Sequence, residues 1–300
     1  MKKLTKHIAL SLLCFWLLPV HAFAKELIPV GEVIGLALRD DTVTIAAFDE
    51  TLGSAAKAAG VEIGDQILSI DGKVVQSTED VRIALEQSDG TINMAVSRDG
   101  AQKSYQLMPE ISPGGPKLGL YLRQGITGVG TVTYYDPDTG TFGTLGHGVN
   151  GADGKLLQMT RGNAYSARVL TVRRGRAGEP GQLMGAVESE DSIGILTANT
   201  DRGVFGVTQV GWEGNSVSVA APEEVKTGAA TIRSTVNGNE VREYSVEILK
   251  IYPKSRQNGR NLLLRVTDPV LLEATGGIVQ GMSGSPIIQD GKLVGAVTHV

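Results

Sequence analysis

A serine flanked by glycines is the side chain of this sequence best suited to act as a nucleophile. Ser283 lies in the stretch Gly281-Met282-Ser283-Gly284-Ser285-Pro286, ahead of a strand-like run. The glycines leave room for a substrate carbonyl to approach the hydroxyl. They also permit a tight backbone that aims N–H groups at a developing oxyanion. The alternative interpretation is a glycine-rich turn between two strands, because short motifs of this kind also occur by chance.

Serine catalysis needs a general base, and histidine is the usual one. The chain has four histidines, and two of them, His7 and His21, lie in the N-terminal leader. His147 stands between two glycines at the end of a strand-like segment, which favours a ring that reaches into a cleft. His299 follows Ser283 in another strand-like segment and is expected to be a packed or edge residue. We therefore expect His147 to be the base, and with so few histidines we expect no metal site.

The third group of such a site is an acid that orients the base, and several aspartates are candidates for it. Asp268 precedes Ser283 by 15 residues, and Asp201 and Asp191 compete with it. Asp268 is followed by Pro269, and aspartate before proline is also a strong N-cap for a short helix over Pro269–Ala274. The residues alone leave these interpretations open.

Composition limits the class of protein. The net charge of −4 gives no general attraction to nucleic acid. The chain has 39 glycines but only 5% aromatic residues, and its frequent valine, threonine and turn dipeptides favour a β-rich fold of short strands.

The N-terminus has the pattern of an export signal, over residues 1–24. Lysines form a charged start, Ile8 to Val20 is apolar, and Ala22-Phe23-Ala24 supplies a cleavage pattern. An uncleaved membrane anchor is the alternative. The only cysteine, Cys14, lies in this leader, so once the leader is removed we expect no disulfide, no thiol catalysis and no cysteine metal site. We also expect no cofactor.

Residues 27–108 resemble a PDZ domain. The resemblance rests on the run Ala58-Ala59-Gly60-Val61-Glu62-Ile63-Gly64-Asp65-Gln66-Ile67-Leu68-Ser69-Ile70-Asp71-Gly72. A helix started by Ser77 or Thr78 and a hairpin around Arg98-Asp99-Gly100 follow it in the order typical of such domains. The resemblance implies a groove in which an extended peptide adds as a strand. It assigns the carboxylate-binding loop and the edge strand to Ile34, Gly35, Leu36, Ala37 and Leu38. A spacer domain with an empty or self-occupied groove is the alternative.

The proline-rich stretch 109–117 is expected to be a linker. From residue 118 to residue 300 the chain is a series of short β-like runs, which favours an antiparallel barrel or sandwich. One predicted hairpin joins Gly128–Tyr135 to Thr141–Leu145, directly before His147.

The second part of the chain resembles the stage IV sporulation protein B family of signalling serine peptidases. The motifs that carry the resemblance are Gly146-His147-Gly148, Thr267-Asp268-Pro269 and the stretch Gly276 to Pro286, behind a PDZ segment. The resemblance implies a chymotrypsin-like double β-barrel with the order His147, Asp268, Ser283 as base, acid and nucleophile. It also implies an oxyanion hole made by the N–H groups of Gly281 and Ser283.

What the resemblance implies about function is specific. Such a peptidase is secreted into the space between the forespore membranes, associates with a membrane, and cleaves itself. It also cuts a membrane-bound regulator, and this triggers intramembrane processing of a late sigma factor. A barrel of this kind is expected to have further strands after Val300, which would make this sequence incomplete. The alternative function is a non-catalytic PDZ adaptor that binds membrane-protein tails. A quality-control protease is disfavoured, because those usually carry the PDZ domain after the catalytic domain.

Overall fold

The computed structural model describes residues 25–151, 154–252 and 260–300. The predicted export signal therefore lies outside the described residues. Within them the helices are α1 (Ser54–Ala58), α2 (Thr78–Glu86) and α3 (Pro269–Thr275). None of these helices is long and apolar enough to cross a bilayer.

Strands make up most of the regular structure, as expected from the many short valine- and threonine-rich runs. They are β1 (Glu26–Pro29), β2 (Val33–Phe48), β3 (Gln66–Ile70), β4 (Lys73–Val74), β5 (Ile92–Arg98), β6 (Ala101–Leu107), β7 (Glu110–Ser112), β8 (Gly115–Lys117), β9 (Leu120–Thr131), β10 (Tyr134–Asp136), β11 (Thr141–Leu145), β12 (Arg161–Arg173), β13 (Gln182–Thr200), β14 (Gly203–Thr208), β15 (Val217–Ser218), β16 (Gly228–Asn237), β17 (Glu240–Ile251), β18 (Leu262–Val266), β19 (Pro286–Gln289) and β20 (Lys292–Ala296).

These strands form two main sheets. The larger has the order β15-β1-β10-β11-β14-β13-β12-β2-β3-β5-β6, with β4 added to β3 and β9 added to β2. The smaller has the order β18-β17-β16-β19-β20, and β7 and β8 form a separate hairpin. The prediction of a mainly β protein is confirmed. Among the described residues neither sheet closes into a barrel.

Three apolar cores hold these sheets. The PDZ core lies under α2 and contains Val43, Ile45, Ile67 and Val81. A second core packs the first half of β2 against the strands that precede the His147 loop, around Phe142. The third lies between β12–β13 and the smaller sheet, and it includes Met282, next to the candidate nucleophile. Ser283 thus sits at the edge of a packed interior rather than in a free surface loop.

The helix and the hairpin of the PDZ segment agree with the predictions made from the sequence. Ser77 is the N-cap of α2, and its hydroxyl accepts a hydrogen bond from the N–H of Asp80 at 3.1 Å. Val81 and Leu85 are buried on one face of the helix, as their spacing indicates. The hairpin of β5 and β6 turns at Asp99 and Gly100, which both have positive φ.

The prediction that Ile34 to Leu38 form the free edge strand of the PDZ groove is wrong. Ile34 to Leu38 form the first half of β2, which is hydrogen-bonded to β12 on one side and to β9 on the other. A strand bonded on both edges has no free N–H or C=O row to offer a peptide. Ile34 is also fully buried. In the PDZ segment the strand next to α2 with an open edge is β9, in its first half.

The predicted domain boundaries also need correction. Residues 27–38 were assigned to the PDZ domain, but β1 pairs with β10 and β15, and the first half of β2 pairs with β12. These residues therefore belong to the sheet of the second domain. Their apolar side chains, such as Ile28 and Leu38, complete its core. The stretch 109–117 is not an open linker, because β7 and β8 pair within it.

Candidate active site

The loop that carries Ser283 is held in a strained form that glycine alone permits. Gly284 has φ of +101°, and a Cβ there would lie 2.1 Å from the carbonyl oxygen of Thr131. The N–H of Gly284 donates to the oxygen of Val297 at 2.8 Å. The next side chain, Ser285, is fully buried and donates to Ser234 at 3.0 Å. The glycines predicted to allow a tight backbone at Ser283 therefore do so.

Two threonine hydroxyls connect this loop to the larger sheet. Thr131 donates to the carbonyl oxygen of Gly281 at 2.8 Å, on the N-terminal side of Ser283. Thr133 donates to the oxygen of Gly284 at 2.6 Å and accepts from the N–H of Leu145 at 2.9 Å. Thr133 therefore connects the serine loop to the end of the strand that leads to His147. Nothing in the sequence marked these threonines, because only the fold brings them opposite the loop.

The hydroxyl of Ser283 donates to the carbonyl oxygen of Thr298 at 2.9 Å. The N–H groups of Gly281 and Ser283 make no hydrogen bond within the described residues. Unpaired backbone donors beside a candidate nucleophile are what an oxyanion hole requires. To attack a substrate, Ser283 must rotate away from Thr298.

His147 is brought to the same place by the loop after β11. A Cβ on the preceding residue, Gly146, would lie 2.9 Å from the Ser283 hydroxyl oxygen, so the two segments are in close contact. The Nδ1 atom of His147 lies 3.1 Å from the carbonyl oxygen of Gly148. A carbonyl can only accept, so in this contact Nδ1 carries the proton and Nε2 keeps its lone pair. This tautomer is the one that a general base needs.

Asn199 fixes the loop that follows His147. Its side-chain oxygen accepts from the N–H of Val149 at 2.9 Å, and its amide donates to the oxygens of Val149 and Leu157 at 2.8 and 2.9 Å. A Cβ at Gly148 would lie 2.3 Å from the oxygen of Thr200, so glycine is needed there as well. The sequence offered no signal for Asn199.

His299, expected to be a packed or edge residue, also reaches the site. Its ring centroid lies 6.4 Å from that of His147, and its Nδ1 atom is 2.7 Å from the hydroxyl of Thr298. Partial desolvation, followed by electrostatic repulsion from Arg260 and from the His147 ring, lowers the pKa of His299 below its usual value. The structure therefore gathers two histidines near Ser283 instead of one.

Asp268 has a different position from the one that the resemblance implies. It is the N-cap of α3, and one carboxylate oxygen accepts from the N–H groups of Val270 and Leu271, both at 3.0 Å. The other oxygen accepts from the N–H of Ser245 at 3.3 Å. None of these bonds involves His147. The structure therefore favours the capping interpretation of Asp268, and the backbone of Gly148 takes the position next to Nδ1 of His147.

A cavity of about 760 Å³ opens over Ser283 and His147. Its wall is mostly apolar, with Leu36, Val129 and Ile278 among the residues that form it. Of the described residues that line it, Glu179 alone has a carboxylate side chain. Asp201 and Asp191, the competing acids, do not line it. The size and the apolar lining suit a peptide segment.

The described residues do not fit a resident metal ion. Within residues 25–151, 154–252 and 260–300, no group of three or more histidine, cysteine, aspartate or glutamate side chains lies close enough together to hold one. A protein zinc site takes at least three such ligands.

Comparisons with known proteins give one strong match and several distant ones. The family model of the SpoIVB peptidase S55 matches residues 115–300, and a PDZ domain model matches residues 51–98. A protein of Rhizobium meliloti (strain 1021) that carries the name zinc metalloprotease is 26% identical over 229 residues, 74% of this chain and 55% of that protein. One of Agrobacterium fabrum with the same kind of name is 25% identical over 207 residues, 67% of this chain and 50% of that protein.

A third relative, from Brucella suis, is 35% identical over 80 residues, 26% of this chain and 21% of that protein, and it too carries the name zinc metalloprotease. This chain spans about half the length of the first two relatives. The name zinc metalloprotease applies to those proteins. Among the described residues of this chain, no group of side chains is arranged to bind a zinc ion. The match to the peptidase family model covers more than half of the chain. It includes every residue that lines the cavity except Leu36. The chain therefore belongs to the SpoIVB peptidase S55 family, and its match to a PDZ domain model precedes the match to the peptidase model.

Proposed function

We propose that this protein is a serine endopeptidase with Ser283 as the nucleophile and His147 as the general base. The observation that carries the proposal is the common cavity, which Ser283, His147 and Gly281 all line. The N–H groups of Gly281 and Ser283 make no hydrogen bond to any described residue and are available to an oxyanion. A nucleophile, a base and an oxyanion site in one cleft are the parts that acyl transfer needs.

The reaction follows from these positions. The Ser283 hydroxyl leaves Thr298 and bonds to the scissile carbonyl carbon, while its proton passes to Nε2 of His147. The carbonyl oxygen becomes an oxyanion held by the N–H groups of Gly281 and Ser283. Collapse breaks the C–N bond, and His147 returns the proton to the leaving amine. Water then attacks the acyl-enzyme by the same route and releases the second product.

The role of this protease in the cell is also a proposal. Family membership and the PDZ domain support a polypeptide substrate. The family resemblance further supports export to the forespore intermembrane space, membrane association through the N-terminus, self-cleavage, and cleavage of a membrane-anchored regulator. That regulator would control an intramembrane protease acting on a late sigma factor. A non-catalytic PDZ adaptor is the competing function.

Covalent labelling separates the enzyme from the adaptor. The full chain is incubated with a fluorophosphonate probe, beside Ser283→Ala, His147→Ala and His299→Ala. We expect labelling in the wild type, none in Ser283→Ala, and a large reduction in His147→Ala. The His299→Ala variant is the matched histidine control. Absence of wild-type labelling would favour the adaptor, and a larger loss in His299→Ala than in His147→Ala would move the base to His299.

A further inference from the structure

The peptide group between Gly148 and Val149 is hydrogen-bonded at both ends. Its carbonyl oxygen, which belongs to Gly148, lies 3.1 Å from Nδ1 of His147. Its N–H, which belongs to Val149, donates to the side-chain oxygen of Asn199 at 2.9 Å. A peptide group is planar, so the bond to the N–H also fixes the direction of the carbonyl. Asn199 thus holds in place the group that contacts the ring of the candidate base.

The side-chain amide of Asn199 is itself fixed in one orientation. Its nitrogen donates to the carbonyl oxygens of Val149 and Leu157 at 2.8 and 2.9 Å. Both N–H donors of the amide are therefore used, and its oxygen faces an N–H group. Only one orientation of an amide satisfies two acceptors and one donor in this way. The N–H of Leu157 also donates to the oxygen of Val149 at 3.0 Å, which closes the loop between them.

The loop after His147 also lies directly on the strand that carries Asn199. A Cβ on Gly148 would lie 2.3 Å from the carbonyl oxygen of Thr200 and 3.1 Å from the side-chain oxygen of Asn199. Not even a methyl group fits between them, so the backbone of Gly148 is in close contact with β13. The position of this peptide group is therefore set by packing as well as by hydrogen bonds.

These bonds form a chain that runs from Asn199 to the imidazole ring. The oxygen of Asn199 accepts from one end of the peptide group, and the oxygen at the other end accepts the proton on Nδ1 of His147. Hydrogen bonds in a chain polarise one another, so the first bond strengthens the second. A proton held on Nδ1 leaves the lone pair on Nε2, where the base must receive the Ser283 proton. In a Ser-His-Asp triad a carboxylate does this directly.

We propose that Asn199 is the positioning residue of the general base, acting through the Gly148–Val149 peptide group where a triad has its acid. Within the described residues, the ring of His147 has no other hydrogen-bond partner. Asn199 is not a catalytic residue, because it does not line the cavity. This inference rests on the proposed function, in which His147 accepts the Ser283 proton. It adds which side chain keeps that base in its reactive tautomer and orientation.

The test compares Asn199→Ala with Gln289→Ala in the full chain. Asn199→Ala removes the three bonds that hold the His147 loop. Gln289 is a matched control, because its amide oxygen accepts from the N–H of Lys226 at 2.9 Å and its nitrogen donates to the oxygens of Lys226 and Ala229 at 3.0 and 3.2 Å. Gln289 does not line the cavity. Both variants lose an equivalent set of bonds, and only Asn199→Ala changes the contact to His147.

The first measurement is the tautomer of each histidine ring, read from ¹H–¹⁵N correlation spectra of protein with labelled histidine and assigned through His147→Ala. We expect His147 of the wild type to carry its proton on Nδ1, and Asn199→Ala to lose this preference. His299 is an internal reference, because the partner of its Nδ1 atom is Thr298. A wild-type His147 with its proton on Nε2 would overturn the proposal without any variant. An equal change at His299, or at His147 in Gln289→Ala, would also overturn it.

The second measurement is the rate of fluorophosphonate labelling against probe concentration. We expect Asn199→Ala to lower the maximal rate at least about tenfold, with little change in the concentration that gives half of that rate, because Asn199 acts on the base and not on the bound probe. Gln289→Ala should keep the wild-type rate, and melting temperatures of both variants are measured alongside. Equal maximal rates in the two variants would contradict the proposal. Absence of wild-type labelling would instead overturn the serine peptidase activity, and the tautomer spectra would still decide whether Asn199 positions His147.

Discussion

The hydroxyl of Thr133 lies 2.6 Å from the carbonyl oxygen of Gly284, and in the same position it accepts the N–H of Leu145. One buried side chain thus holds both the residue after the candidate nucleophile and the strand end that leads to the candidate base. Thr133 is a positioning residue, because it acts through backbone groups and does not line the cavity.

We predict that Thr133→Val slows fluorophosphonate labelling at least about tenfold, because it leaves the Leu145 N–H and the Gly284 oxygen unpaired, at a cost of about 1–3 kcal/mol for each buried group. Thr133→Ser keeps the hydroxyl and should restore labelling. Thr208→Val is a matched control: Thr208 also donates to one backbone group and accepts from another, with Ile193 and Val210 as partners. If Thr208→Val slows labelling as much, Thr133 contributes only to stability.

Gly284→Ala should abolish labelling. The new Cβ would meet the Thr131 oxygen at 2.1 Å, and φ of +101° is unfavourable for alanine. Gly291→Ala tests the effect of a positive φ without a steric clash. Gly291 has φ of +74°, and the position of a Cβ there is surrounded by open space. We expect Gly291→Ala to lose only about 1 kcal/mol of stability and to label normally. Labelling of Gly284→Ala at the wild-type rate would show that the loop tolerates a different path.

Substitutions of Asp268 distinguish capping from catalysis. Asparagine caps a helix about as well as aspartate, whereas alanine costs about 0.5–2 kcal/mol. We therefore expect Asp268→Asn to keep both the melting temperature and the labelling rate close to wild type, and Asp268→Ala to lower the melting temperature. A large fall in labelling for Asp268→Asn, with an unchanged melting temperature and no such fall for Asp201→Asn, would restore Asp268 as the orienting acid.

The stability of the PDZ segment should depend on pH through Asp65. Burial alone would raise the pKa of this carboxyl, but hydrogen bonds from Arg98, at 2.6 Å, and from the N–H of Glu62 hold it below its usual value. The ionised form is therefore favoured in the folded state. Its contribution to stability is complete above the unfolded pKa of about 3.9 and is lost as the pH falls through the lower folded value.

The measurement for Asp65 is thermal unfolding between neutral and acidic pH, wild type beside Asp65→Asn. We expect the variant to melt at least about 4 °C lower near pH 7. We also expect the difference between the two to shrink as the pH falls below about 4. A constant difference across this range would mean that the charge of Asp65 does not stabilise the fold.

Local sequence signals predicted the PDZ segment well. The Ser77 cap, the spacing of Val81 and Leu85, and the Asp99-Gly100 turn all act between neighbours in sequence, so their structure follows from short-range chemistry. The same holds for the glycines around Ser283, where φ values and close approaches leave little choice of residue.

The features that the sequence did not predict depend on strand pairs and hydrogen bonds between residues that are distant in sequence. Strand β2 runs without a break through the polar residues Arg39-Asp40-Asp41. Its pairs on either side of them are distant in sequence, because Arg39 lies opposite Arg161 and Val43 lies opposite Gln124. The positioning roles of Thr133 and Asn199 depend on loops about 50 to 150 residues away. Asp268 was misleading for a related reason: one residue type serves both as helix cap and as catalytic acid, and only the bonding partners distinguish the two.

Strand β2 is continuous between the PDZ segment and the sheet of the second domain, so these two parts share a strand. Its first half lies in the peptidase sheet and its second half in the PDZ sheet, while β9 pairs with both halves on the way back. The PDZ segment between them is thus an insertion into a peptidase hairpin. A fragment starting at Leu118 would lack β1 and β2 and would leave Val132 and Phe142 without the core partners Ile28 and Ile34. A peptidase part transferred without residues 26–38 would therefore lack two strand segments of its sheet and part of its core.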